Sequence, residues 1–255
     1  MSIVLNEKEW VLEKLEQPSL GKKPSETLSR IVKYYSSEGF SKTETRKKLE
    51  TFLLQSDSTV SIPKWTKSIE RVIKLSFGEP LINIDYISIT ESELSIISGL
   101  KGEQLKRLAF TLLCLAKYQK LVNPINDYWV NTKESEIMKL SNISTSLKRR
   151  CLMFKELQDL GLIQFSKRVD NTNVRVCFAD DGSPMLKISD FRNLGYQYMM
   201  YRGKPYFVCA NCGITSKYAN PNIGRKQRYC KKCSSEIAIR QRIDSAMNYK
   251  LKKLK

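Results

Sequence analysis

Through the first eighty positions, apolar residues recur at the three-and-four spacing of helices that bury one face. Asn6-x-x-Glu9 reads as a capping box opening a helix through Leu15. Gly21 and Pro24 separate it from a helix carrying Leu28, Ile31, Val32 and Tyr35, which Gly39 stops. Ser41-x-x-Glu44 caps a third helix, with Leu49, Phe52 and Leu53 on its inner face. After a polar loop at 55–61, Pro63 introduces a fourth, burying Ile69, Val72 and Ile73. The pattern changes at Pro80: Leu81–Ile89 is β-prone, and Thr90-x-x-Glu93 caps a further helix. A first boundary therefore falls near 78–90. Residues 1–78 carry no chemical motif and read as a scaffold or a homo-oligomer contact through these helices, with a partner-binding surface as the alternative.

Farther on, Leu105, Leu108, Ala109, Leu112, Leu115 and Ala116 mark one long amphipathic helix. Tyr128–Val130 is a short β-type run, and Asn131-x-x-Glu134 caps a helix with Ile137 and Leu140 inside. After the turn 141–143, Ser144, Thr145 and Ser146 can cap a third helix, Leu147–Leu160. Its expected inner face is Leu147, Cys151, Phe154 and Leu157, leaving Thr145, Arg149, Met153 and Glu156 outside, flanked by Lys148. Gly161 suits the helix end. Two β-type runs, Leu162–Arg168 and Val174–Phe178, then flank a polar turn at 170–173.

Helix, strand, helix, turn, helix and two-stranded wing is the order of a winged helix-turn-helix, and 102–178 resembles that family of DNA-binding proteins. The resemblance implies that Ser144, Thr145, Ser146, Lys148 and Arg149 face bases and phosphates. Lys167, Arg168 and Arg175 of the wing would hold flanking phosphates. An arginine at that helix start can bond bidentately to guanine.

Cysteine spacing adds a metal. Cys209-x-x-Cys212 and Cys230-x-x-Cys233, seventeen residues apart, can bring four thiolates to one structural Zn²⁺ with no open coordination site, the alternatives being an iron–sulfur centre or a redox dithiol pair. Tyr196–Tyr201 and Tyr206–Val208 read as a hairpin leading into the first knuckle. The second knuckle opens a helix through Ile237, Ile239 and Ile243, a treble-clef order. Cys-Ala-Asn-Cys-Gly-Ile-Thr at 209–215 resembles a GATA-type zinc finger, which implies a nucleic-acid role for that segment. The family's Leu-Trp-Arg-Arg block is replaced by Tyr218-Ala219-Asn220-Pro221, and its Asn-Ala-Cys-Gly ending by Lys231-Lys232-Cys233-Ser234. Only the cysteine ligands are therefore carried over. Cys114, Cys151 and Cys177 fall at apolar or strand positions and read as core.

Charge sharpens the partner. The chain has 44 basic and 26 acidic residues, a net +18, and from Arg202 onward the balance is 14 to 2. Such a surface draws polyanions by counterion release. Arg225, Lys226, Arg228, Lys231, Lys232, Arg240, Arg242, Lys252 and Lys253 are the candidate phosphate contacts. Tyr218 and Tyr229 are candidates for stacking on single-stranded bases. The absence of histidine excludes Ser-His-Asp and Cys-His catalysis. No phosphate loop or paired-carboxylate motif is present, and Asp180-Asp181-Gly182-Ser183 reads as a turn, so no enzyme is expected. Met1–Gln17 is acidic throughout, and no run approaches the roughly 18 apolar residues of a membrane span. The expectation is a cytoplasmic protein without a membrane partner.

The fold class expected is α+β, mainly α: a helical domain 1–78, a winged helix 79–185 and a zinc finger with basic helix 186–255. The leading function is sequence-specific binding of duplex DNA by a transcriptional regulator of a bacterium or phage. Two other readings stay open: a replication initiator or helicase loader, and an adaptor binding RNA or RNA polymerase.

Overall fold

The caps read from the N-terminal sequence form where expected in a computed structural model of the chain. It describes residues 3–57, 59–167, 173–220 and 227–253, without the side chains of 248 and 250–253. Asn6 accepts a hydrogen bond from the Glu9 amide at the start of α1 (Glu7–Glu16). Ser41 and Glu44 make a reciprocal capping box before α3 (Lys42–Ser56). α2 (Pro24–Ser37) and α4 (Ile62–Ser76) each have proline in their first turn, where a missing N–H costs nothing. These helices make one compact unit, Met1–Tyr86. α4 packs on α2 and α3, and α1 on α2, around Leu28, Ile31, Val32, Leu49, Phe52, Leu53, Ile69, Val72 and Ile73. Inside it Arg30 Nε lies 2.9 Å from Glu7 Oε1, and Glu7 Oε2 accepts the Ile82 amide.

The β-prone run 81–89 is strand only at its end. β1 (Ile87–Thr90) opens the second unit, Ile87–Lys255. Its antiparallel partner is β5 (Pro184–Ile188), nearly a hundred residues away. Thr90 and Glu93 close a capping box at α5 (Glu91–Gly99). α6 (Glu103–Val122) buries the expected stripe and, beyond it, Phe110, Leu113, Cys114, Lys117 and Tyr118. It is the axis of the unit, wrapped on all sides.

Next come β2 (Trp129–Val130), α7 (Glu134–Leu140), α8 (Leu147–Asp159), β3 (Ile163–Phe165) and β4 (Val174–Val176). The three strands form an antiparallel sheet in the order β2-β4-β3. Ser146, not Thr145 or Ser144, caps α8, accepting the Arg149 amide; the residue before α7 is Lys133, not Asn131. α8 is turned relative to expectation. Met153, Phe154 and Leu157 are buried, while Leu147 and Cys151 are exposed. Cys177 is exposed too, one place off the Val174, Val176, Phe178 alternation. Of the three cysteines read as core, only Cys114 is.

Tyr196–Tyr201 is not a strand. It lies in a helix, α9 (Leu194–Tyr201), which packs on α6 with the Tyr198 ring against Phe110. The hairpin is made instead by β6 (Tyr206–Val208) and β7 (Thr215–Lys217), and the long α10 (Lys231–Lys253) follows. Among the described residues no helix is long and apolar enough to cross a membrane.

A buried ion pair ties β1, α5 and α6 together. Lys117 Nζ lies 2.7 Å from Glu93 Oε1 and donates to the Ser88 carbonyl. Glu93 also accepts the Thr90 and Asp180 amides at 2.7 Å each. Asp180 in turn accepts from Ser92, and Asp181 from Tyr128, so the acidic cluster at 180–183 is a structural turn. Removing one member of a buried pair strands the other. Lys117→Met should therefore lower stability by about 3 kcal/mol, Glu93 keeping its two amide donors. A loss under about 1 kcal/mol in urea unfolding would show that the pair holds little.

Candidate metal centre and basic surface

The chain turns tightly at both cysteine pairs. In the first, the Gly213 amide reaches back to the Cys209 carbonyl, and the Cys209 amide donates to Ile214 O. Gly213 has φ +71°, a left-handed value that glycine adopts without strain. The pair is thus the tip of the β6–β7 hairpin. In the second, Cys230 precedes α10 and Cys233 lies in its first turn. Ala210 N donates to Arg228 O, bringing the two knuckles together.

The result is one cluster, the only metal-ligand group of its kind among the described residues. The sulfurs of Cys209, Cys212, Cys230 and Cys233 all lie within 4.8 Å of one another. A tetrahedral ion with metal–sulfur bonds of about 2.3 Å places its ligands about 3.8 Å apart. Cys212 Sγ and Cys230 Sγ are 3.8 Å apart. N–H donors already face sulfur, among them Cys230 N to Cys209 Sγ at 3.2 Å and Asn211 Nδ2 to Cys233 Sγ at 3.3 Å. At Cys209 burial opposes ionisation, but the amides of Cys230, Cys212 and Asn211 outweigh it and bring the thiol down to about 6. Burial, with the neighbouring thiols, pushes Cys212 up to about 12. A cation at the centre is what lets all four ionise together. The donor set and spacing fit a single metal ion.

The cluster is joined to the α7–α8 turn by one side chain. Asn193, in left-handed conformation before α9, donates from Nδ2 to Thr215 O at 2.9 Å, just past the first knuckle. Its Oδ1 accepts from Asn142 Nδ2 at 2.9 Å, in the turn that leads to α8. Arg192 reaches the Cys212 carbonyl at 2.8 Å. A Cβ on Gly195 would lie 2.0 Å from the Ser141 carbonyl oxygen, so this contact admits only glycine. No sequence motif marks Asn142, Asn193 or Gly195. Their only trace is a Gly and two Asn, types that tolerate left-handed backbone.

The cationic residues expected from sequence are distributed unevenly. Ser144, Ser146, Lys148 and Arg149 are exposed at the start of α8; Lys148 and Arg149 have no acidic partner among the described residues. Thr145 is half-buried, and its carbonyl accepts from Arg150. Lys167 is exposed. Arg175 is held by Asp127, through the carboxylate and the backbone carbonyl, on the central strand of the sheet. Arg228, Lys231, Lys232, Arg240 and Arg242 are exposed, Lys232 lying 3.7 Å from Glu236. Arg168, Arg225 and Lys226 lie outside the described residues, as do the side chains of Lys252 and Lys253. Both tyrosines are half-buried. Tyr218 packs on Phe207, ring centroids 4.8 Å apart, and Tyr229 packs against the cysteines.

Comparison with known protein families, with curated proteins and with solved structures gives no match in any of the three.

Thiol reactivity tests the centre. Burial pushes the Cys114 thiol far up, so it stays inert while the chain is folded. In the metal-loaded protein two of the seven thiols, Cys151 and Cys177, should alkylate readily. Chelation should release the four cluster thiols, and denaturation the last. Equal labelling of the cluster before and after chelation, read by mass spectrometry, would rule the metal out.

Proposed function

We propose that the chain binds duplex DNA in a sequence-dependent way, as a regulator does, through a winged helix at 103–178 and a treble-clef zinc finger at 206–253. The observation that carries this reading is the unpaired basic start of α8. It stands on a helix–strand–helix–turn–helix–strand–strand segment whose sheet is ordered β2-β4-β3. The α8 cap leaves an N-terminus pointing outward with Lys148 and Arg149 beside it, a favourable place for phosphate oxygens. In a major groove the turned helix presents Lys148, Arg149 and Leu152 to base edges, not Met153 or Glu156. Arginine reads guanine and an apolar side chain reads the thymine methyl.

Zinc is the metal proposed, because an all-thiolate tetrahedral set with no open position is what structural zinc takes. The charge of the chain fits the same partner. The second unit holds 30 basic and 14 acidic residues, a net +16, whereas the first holds 14 and 12. Counterion release at such a surface supplies affinity without sequence, and α8 supplies selectivity.

Selection of bound sequences from a random duplex pool, followed by titration against duplex, single-stranded DNA and RNA at several salt concentrations, tests the reading. The chosen duplex should hold its advantage at physiological salt. Arg149→Ala should erase roughly 1–3 kcal/mol of discrimination at one base pair. Arg240→Ala with Arg242→Ala should weaken all duplexes alike. Identical effects of the two changes, or binding that ignores sequence and strandedness, would sink the proposal.

A further inference from the structure

The first unit is almost neutral, yet its charge is segregated. On α4, Lys64, Lys67, Arg71 and Lys74 fall at i, i+3, i+7 and i+10, which is one face of a helix. All four are exposed, and none of the four side chains makes an ion pair or hydrogen bond among the described residues. The only acid on α4, Glu70, is engaged by Arg46 of α3 at 3.3 Å. The opposite face of α4, with Ile69, Val72, Ile73 and Ser76, is buried against α2 and α3. Acidic residues gather elsewhere: α1 has Glu7, Glu9, Glu13 and Glu16 against two lysines.

We propose that this face of α4 is a second nucleic-acid surface, which binds the phosphate backbone of duplex DNA. The inference rests on the duplex reading above. At 1.5 Å per residue the four cations span about 15 Å, a length over which duplex DNA presents several phosphates on each strand. Four mutually repelling side chains with Glu70, shared with Arg46, as the acid beside them cost the free unit a little, and a polyanion removes that cost. An anionic membrane fits less well. A helix lying on lipid exposes its apolar face, and α4 has buried its own, leaving Leu75 as the one large apolar side chain on the cationic side.

The test uses the full chain, mixed-sequence duplex DNA and a series of salt concentrations. Each phosphate contact contributes about 0.9 to the slope of log K against log salt. Lys67→Gln with Arg71→Gln should reduce that slope by about 1.8, while far-UV circular dichroism and the unfolding midpoint stay as in the parent. Lys22→Gln with Lys23→Gln removes the same charge off the stripe and should leave the slope unchanged. A parent that binds duplex while both double variants keep its slope overturns this inference alone. A parent that binds no duplex overturns the reading of the second unit and this one with it. If the α4 variant keeps its duplex slope but loses binding to phosphatidylserine vesicles that the parent retains, the face belongs to a membrane and the proposal is wrong.

Discussion

The segment from β6 to α10 buries little of its own. Its cysteine cluster has only Cys212, Ile214 and Tyr229 packed against it, its sheet is a pair of three-residue strands, and its other apolar contacts are Phe207 on Tyr218 and the packing of the hairpin on α9. An isolated hairpin of that size is marginal in water. A metal bound at the four sulfurs would fix it further, since the free energy of metal binding there is also free energy of folding. The constraint does not end at the knuckles. Thr215 O, Asn193 and Asn142 form a chain of two hydrogen bonds from the hairpin to the turn before α8, and glycine at 195 lets α9 press on that turn. The orientation of the α8 start is therefore over-determined. It rests on the core beneath Met153, Phe154 and Leu157, and on a polar strut whose far end is pinned by thiolates.

The other organising element is α6. A helix buried all round leaves no solvent face for its polar residues, so Lys117 must have a partner inside. Glu93 meets that need, and because it also closes the α5 capping box, one carboxylate joins β1, α5, α6 and the Asp180 turn. Burying the pair contributes little net stability. It contributes register: only one arrangement of β1 against β5 gives Glu93 the Asp180 amide and Lys117 the Ser88 carbonyl together.

Local signals made much of this legible. Ser41, Thr90 and Ser146 cap the helices they precede, and the apolar spacing of α2, α3, α4 and α6 names residues that are buried. The cysteine spacing named the cluster outright. What escaped depends on tertiary contacts. Tyr196–Tyr201 has the aromatic content of a strand, but packing of Tyr198 on Phe110 makes it a helix, as context overrides weak β-propensity. β5 exists through pairing with a strand far off in sequence. The face of α8 was misjudged because its first turn projects beyond the core, so Leu147 carries apolar character with nothing above it. A periodicity reading assumes that every apolar residue in a helix has a floor, and near an exposed terminus that assumption fails.

The same failure bears on α10, where the described side chains from Ala238 onward are exposed, Ile239, Ile243 and Met247 included. A 23-residue helix with its outer part exposed gains little from packing, and most helical stability in proteins comes from packing an amphipathic face. Its N-terminus is where support is available. Four thiolates around a divalent ion would leave about −2 at the helix N-terminus, where the macrodipole is positive. A metal held by the four cysteines would thus serve α10 twice, anchoring its first turn through Cys233 and capping it electrostatically.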